Sequence, residues 1–262
     1  MASSPLSTRT LRPFGTSAED LAIDFHRLRR PDLVTALLHR CGRTDDGRQV
    51  DEAALRRMPI GARIEALVAL AACTMPGPFE WRVRCDRSGC EEDCNFELSA
   101  DQILSFGDAL RDDETVTTSL DGRAAVLRRP TADDQSRWST PSGDIEIAAM
   151  MRSMLVSPSL DDLQAAGTSL DAIARDIDAA MDRFDPLLGF HLTVVCPRCG
   201  NGVEAHPDLA GAALDRLARA QRARIEDVHR LASCYHWGER EILDMPSWRR
   251  ERYLEIIDAE LA

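Results

Sequence analysis

Five cysteines fall in two short stretches of this chain. "VRCDRSGCEEDC" carries Cys85, Cys90 and Cys94, and "VVCPRCGNGVEAH" carries Cys196 and Cys199. Thiolates at such spacings are metal-ligand chemistry, because a structural zinc takes four ligands and a short knuckle supplies two. The stretches read as two copies of one unit, each an alternating strand, then cysteines, then a polar turn. With Cys90 placed on Cys199, "CEEDCNFEL" runs beside "CGNGVEAHP" and Cys94 falls on Val203. This alignment expects Cys85, Cys90, Cys196 and Cys199 to hold one shared Zn2+, with Cys94 as an apolar inward residue. Cys94 stays open as an alternative ligand in place of Cys85 or Cys90, and two separate metal sites or an unmetallated turn are the competing readings. Four thiolates leave no open coordination position, so the expected role is structural.

Other residue types offer less chemistry. His191 and His206 flank the second knuckle; each could substitute as a ligand, but a solvated or strand-surface position is the preferred reading, and His229 and His236 lie on or just after the last long helix. Cys41, Cys73 and Cys234 stand alone in helical patterns and are expected to be buried thiols. Neither a phosphate-binding loop nor a dinucleotide fingerprint occurs. "CPRC" has the spacing of a thiol redox motif, but it is equally at home in a zinc knuckle.

The knuckles need elements to place them. In "FEWRVRC", Phe79, Trp81, Val83 and Cys85 alternate onto one face, a strand signature, and "FHLTVVC" leads into the second knuckle in the same way. "PDLVTALLHRC" and the segment around Leu55 to Ala71 have helical periods, the latter broken by Pro59 and Gly61. "RDDETVTTSLDG" is expected to be an acidic loop. "RAAVLRR" is a strand, followed by a helix capped by Thr131; Ser159 and Ser169 are expected to cap two more helices. From Asp208 onward the pattern is helical to the end. The fold class is therefore α+β and mostly helical: split zinc-ribbon-like knuckles, a helical insertion between them, and a C-terminal helical module. The expected divisions are residues 1–16 disordered, 17–75 helical, 76–207 the split ribbon with its insertion, and 208–262 the C-terminal module.

Composition narrows the function. Against 44 acidic residues stand 32 basic ones, all arginine, for a net charge of −12. Nucleic-acid binding needs a clustered positive field, and residues 208–262 hold nine Arg against eleven Asp and Glu. A zinc-ribbon or helix-turn-helix DNA-binding regulator is the alternative reading, disfavoured by that balance. No apolar run reaches a membrane span of roughly 20 residues, and the N-terminal stretch lacks a secretory apolar core. The expected location is the cytoplasm.

Several segments, in order along the chain, carry a resemblance: "RRMPIGARIEALVALA", "LRRPTADD", "FDPLLGFHLTVVCPRCG" and "EDVHRLASCYHWGEREILDMPSWRRERYLEII". They are similar to the baseplate protein family of T-even-like contractile phages, labelled baseplate hub assembly chaperone, with relatives in phage-derived contractile injection systems. The chain departs from it at the first knuckle, with its wider gap and extra Cys94. The resemblance implies a non-enzymatic structural or assembly protein whose partners are other baseplate, hub or spike proteins, with no small-molecule substrate, located at its cytoplasmic assembly site or in the mature phage-like particle. Partner contacts are expected at Trp237, Trp248, Arg249, Arg250 and Tyr253, with no active-site cleft.

Overall fold

A computed structural model describes residues 10–107, 113–138 and 146–261. The chain opens with α1 (Ala18–Leu21), α2 (Arg30–Cys41), α3 (Glu52–Arg57) and α4 (Ile60–Thr74). An antiparallel hairpin follows, β1 (Phe79–Arg84) and β2 (Asp93–Leu98), and then α5 (Ala100–Gly107). The long segment between the knuckles holds β3 (Thr115–Leu120), β4 (Arg123–Arg128), α6 (Ala132–Trp138), α7 (Ile147–Met154), β5 (Leu155–Ser157), α8 (Leu160–Ala165) and α9 (Leu170–Phe184). A second hairpin, β6 (Leu192–Val195) and β7 (Gly202–Ala205), precedes α10 (Leu209–Tyr235), α11 (Glu239–Asp244) and α12 (Ser247–Leu261).

Helix ends follow the expected local chemistry. Ser159 and Ser169 accept hydrogen bonds from the Asp162 and Ala172 amides at the starts of α8 and α9. At α6 the Thr131 amide and hydroxyl both donate to Asp134, each at 2.9 Å. Such caps satisfy amides that a helix start leaves without partners.

Two expectations are corrected. Residues 1–9 lie outside the described residues, but 10–16 do not form a loose tail: Phe14 is buried and Arg12 pairs with fully buried Asp20 at 2.7 Å. The aromatic anchor and this desolvated pair tie the segment to the body. The insertion is also not purely helical, because β3, β4 and β5 form an antiparallel sheet in that order. The described part of the presumed acidic loop is largely β3, whose Val116, Thr118 and Leu120 turn inward beside Ala125 and Leu127 of β4. Asp121 and Gly122 join the strands with φ of 49° and 77°, the two left-handed residues that a tight hairpin turn requires.

Hydrophobic packing forms two main cores. The first gathers Leu37 and Leu38 of α2, Leu67 and Leu70 of α4, Phe79, Ile103, and Ala213 and Leu217 of α10. The second gathers Leu120, Leu127, Met151, Leu163, Ile173, Ile177 and Phe184 of the insertion. Backbone pairing between Pro59 and Thr131, and an Ile60 amide donating to the Pro130 carbonyl at 2.9 Å, join them. The Gly61 amide also donates to buried Asp185 at 3.3 Å.

Two buried arginines fasten elements together, one among the first helices and one between α10 and the first hairpin. Arg63 donates to the Leu55 carbonyl at 2.6 Å and to the Pro31 carbonyl at 2.8 Å, bonding α4 to α2 and α3. Loss of solvent pushes it down to about 10, yet its bonds to carbonyl dipoles make that burial tolerable. Arg216 of α10 donates to the Gly77 carbonyl at 2.8 Å and also to Pro78, and stacks 3.8 Å over the Phe79 ring. The first hairpin is thereby held against α10 at its root.

Candidate metal centre

The ends of the two hairpins meet and make a small core of their own. Cys85, Cys90, Cys94, Cys196 and Val203 are buried there, beside Val83, Val194 and half-buried Cys199. The four sulfurs of Cys85, Cys90, Cys196 and Cys199 lie within 4.8 Å of one another. Cys85 Sγ is 3.7 Å from Cys199 Sγ, and Cys90 Sγ is 3.7 Å from Cys196 Sγ. Sulfurs about 2.3 Å from a tetrahedrally held ion would be about 3.8 Å apart. The donor set therefore fits a four-coordinate thiophilic metal.

The repeat read in the sequence reappears as geometry. Val83 pairs with Cys94 across the first hairpin, as Val194 pairs with Val203 across the second. The Cys85 amide donates to the Glu92 carbonyl and the Cys196 amide to the Asn201 carbonyl, both at 2.8 Å. Glu91 and Gly200 occupy matching left-handed positions, with φ of 50° and 72°. Cys94 thus stands where the second unit has Val203, 1% exposed and outside the group of four converging sulfurs.

Sequence reading missed a reciprocal pair of arginines. Arg87 donates to the Cys199 carbonyl and Arg198 to the Cys90 carbonyl, each at 3.3 Å, so each knuckle binds the other's backbone. Asn201 adds a 2.8 Å bond to Asp86. The signal was present as Cys-x-Arg in both units, Cys85–Asp86–Arg87 and Cys196–Pro197–Arg198.

The thiols are set unequally. Although burial opposes ionisation of Cys196, the backbone amides of Cys199 and Arg198 point at its sulfur and draw it down to about 6. At Cys90 the Glu92 amide favours the thiolate, but loss of solvent and the neighbouring thiols outweigh it and push the group up to about 12. Burial likewise raises Cys94, to about 11. Four sulfurs this close cannot all carry charge without a cation among them.

The remaining candidates lie apart from the centre. His191 and His206 are exposed, with ring centroids 5.8 Å apart, and His206 sits 3.4 Å from Glu204. His229 and His236 are exposed on and after α10. Of the lone cysteines, Cys41 is buried as expected, but Cys73 and Cys234 are exposed. Their helices, α4 and α10, turn other faces to the cores, so helical periodicity alone misplaced them.

The five residues singled out in the C-terminal module divide by environment. Trp237 and Tyr253 pack with Tyr235 around Leu231, Ile242 and Ile257, with Trp237 stacked 4.6 Å from the Tyr235 ring. Arg250 is buried and donates to the Ile242 and Met245 carbonyls at 3.2 and 3.3 Å, so it caps the end of α11. This makes it a structural residue, because its cation is committed to orphan helix carbonyls. Trp248, 68% exposed, and exposed Arg249 face outward.

Comparisons with protein-family profiles, curated proteins and solved structures found no match. Among the described residues, no helix is long and apolar enough to cross a membrane.

Proposed function

We propose that this chain is a non-enzymatic structural or assembly protein of the baseplate of a contractile phage tail or phage-like injection system, built around one zinc ion. Cys85, Cys90, Cys196 and Cys199 hold the ion; bound there, it supplies a cross-link between segments about a hundred residues apart. Zinc is the metal assigned because it is borderline-soft, imposes no geometry of its own and suits four thiolates. The observation that carries the non-enzymatic reading is the closed donor set: four sulfurs and two arginine-bonded knuckles leave no position for a substrate. The baseplate reading rests on the ordered sequence resemblance, and outward-facing Trp248 and Arg249 on α12 support it as a partner-facing surface. Exposed aromatic and arginine side chains are the residue types that anchor protein interfaces.

The test is affinity capture of the tagged full chain from a particle-producing strain, read by mass spectrometry. Co-capture of baseplate, hub or spike proteins is the expected result. Capture that brings down no tail component overturns the reading.

A further inference from the structure

A groove of about 720 Å³ lies between the two main cores, walled by α4, α7 and α9 with the starts of α2 and α10. Its size and its place at a junction of packed units are typical of binding sites. Four methionines, Met150, Met151, Met154 and Met181, form much of its floor, and Ile147 stands at the edge, 63% exposed. Methionine side chains are flexible and polarisable, and adapt to varied apolar partners. Asp178 and Asp182 lie one turn apart on the α9 wall, and among the described residues neither has an ion pair or a hydrogen bond to another side chain. Of the arginines lining the groove among the described residues, Arg175 shares the α9 wall and is exposed, Arg30 is held by Asp208 at 2.5 Å, and Arg63 is buried on backbone carbonyls.

We infer that this groove receives an amphipathic helix of a partner protein, its apolar stripe on the methionine floor and its arginine or lysine flank against Asp178 and Asp182. Charge favours that occupant over a second copy, because the chain is at −12 overall and repels itself. The inference deepens the assembly reading and rests on it for the kind of partner.

The probe is a helical peptide of about 18 residues, roughly 27 Å long, with a leucine stripe flanked by arginine; its control has glutamate flanks. Binding to the full zinc-loaded chain is read by anisotropy and by methyl resonances of labelled methionine. Shifts should appear at Met150, Met151, Met154 and Met181 and not at Met58, Met75 or Met245, which lie outside the groove. The arginine peptide should bind about fivefold or more tighter than the glutamate peptide, as expected of two partly exposed charge pairs. That order should reverse in Asp178→Arg/Asp182→Arg, and binding should be lost in Ile147→Asp, a surface change that leaves the cores intact. Shifts spread over all methionines, or no shift, overturn the inference. So does movement of the four groove methionines with protein concentration alone, which would mean a second copy, or with a small apolar dye but neither peptide, which would mean a small-molecule cavity. Failure here with tail proteins still captured removes only the groove; peptide binding without such capture removes only the baseplate assignment.

Discussion

Replacing Cys94 by valine should leave the metal in place, whereas replacing Cys90 by serine should expel it. Cys94 is 1% exposed, lies opposite Val83 and matches Val203 in the second hairpin. The change amounts to a near volume-conserving swap within a small apolar cluster, costing less than about 1.5 kcal/mol. For a chain of this size, each kcal/mol moves the melting temperature by about 2–4 °C, so Cys94→Val should shift it by less than about 6 °C. Cys90 is different, because its sulfur lies 3.7 Å from Cys196 Sγ within the converging set. A metal present at about a thousand times its dissociation constant stabilises the fold by about 4 kcal/mol. Cys90→Ser removes most of that and should lower melting by about 10 °C. The assay is metal content per chain by atomic spectroscopy, with melting scans before and after a chelator. Chelation should destabilise the parent and Cys94→Val alike and leave Cys90→Ser nearly unmoved. A Cys94→Val protein without metal, or a Cys90→Ser protein with a full equivalent, would refute the assignment of ligands.

Three further outcomes are expected. Burial lifts the Asp185 carboxyl to about 6, above an unfolded value of about 3.9. The folded state thus holds that proton more tightly, and the associated stability is full below about pH 4 and is lost as pH rises through 6. Asp185→Asn should therefore match the parent near pH 4 and exceed it by about 2–3 kcal/mol at pH 8 in urea titrations; a loss of stability at pH 8 would contradict this. Arg250→Ala should cost about 1–3 kcal/mol by stranding the Ile242 and Met245 carbonyls, while exposed Arg249→Ala should cost less than about 0.5. If Arg250 instead docks a partner, its loss will weaken capture without changing the melt. Gly200→Ala meets open space but keeps a φ of 72°, so it should cost about 1 kcal/mol by thermal melt; no change would mean the turn relaxes.

Much of the candidate centre was legible in sequence because it is local. A strand of alternating residues, a cysteine and a left-handed turn are each specified within ten residues, and the unit occurs twice. Aligning the copies was enough to set Cys94 beside Val203, since pairing across a hairpin has a period of two. The caps at Thr131, Ser159 and Ser169 were readable for the same reason. The strand β3 was missed because its threonines and flanking acids resemble a loop, although the Asp121–Gly122 pair marked the turn.

The sequence by itself determined that two similar cysteine hairpins exist, that helices dominate, and that the charge is acidic. Tertiary structure alone decided that the hairpins meet, that Arg87 and Arg198 each bind the opposite knuckle, and that Arg250 turns inward. It also decided that Cys73 and Cys234 face outward and that the two main cores leave a methionine-floored groove between them. These are contacts between residues far apart along the chain. Local spacing fixes which face of an element a side chain occupies, but only the packing of elements fixes what that face meets.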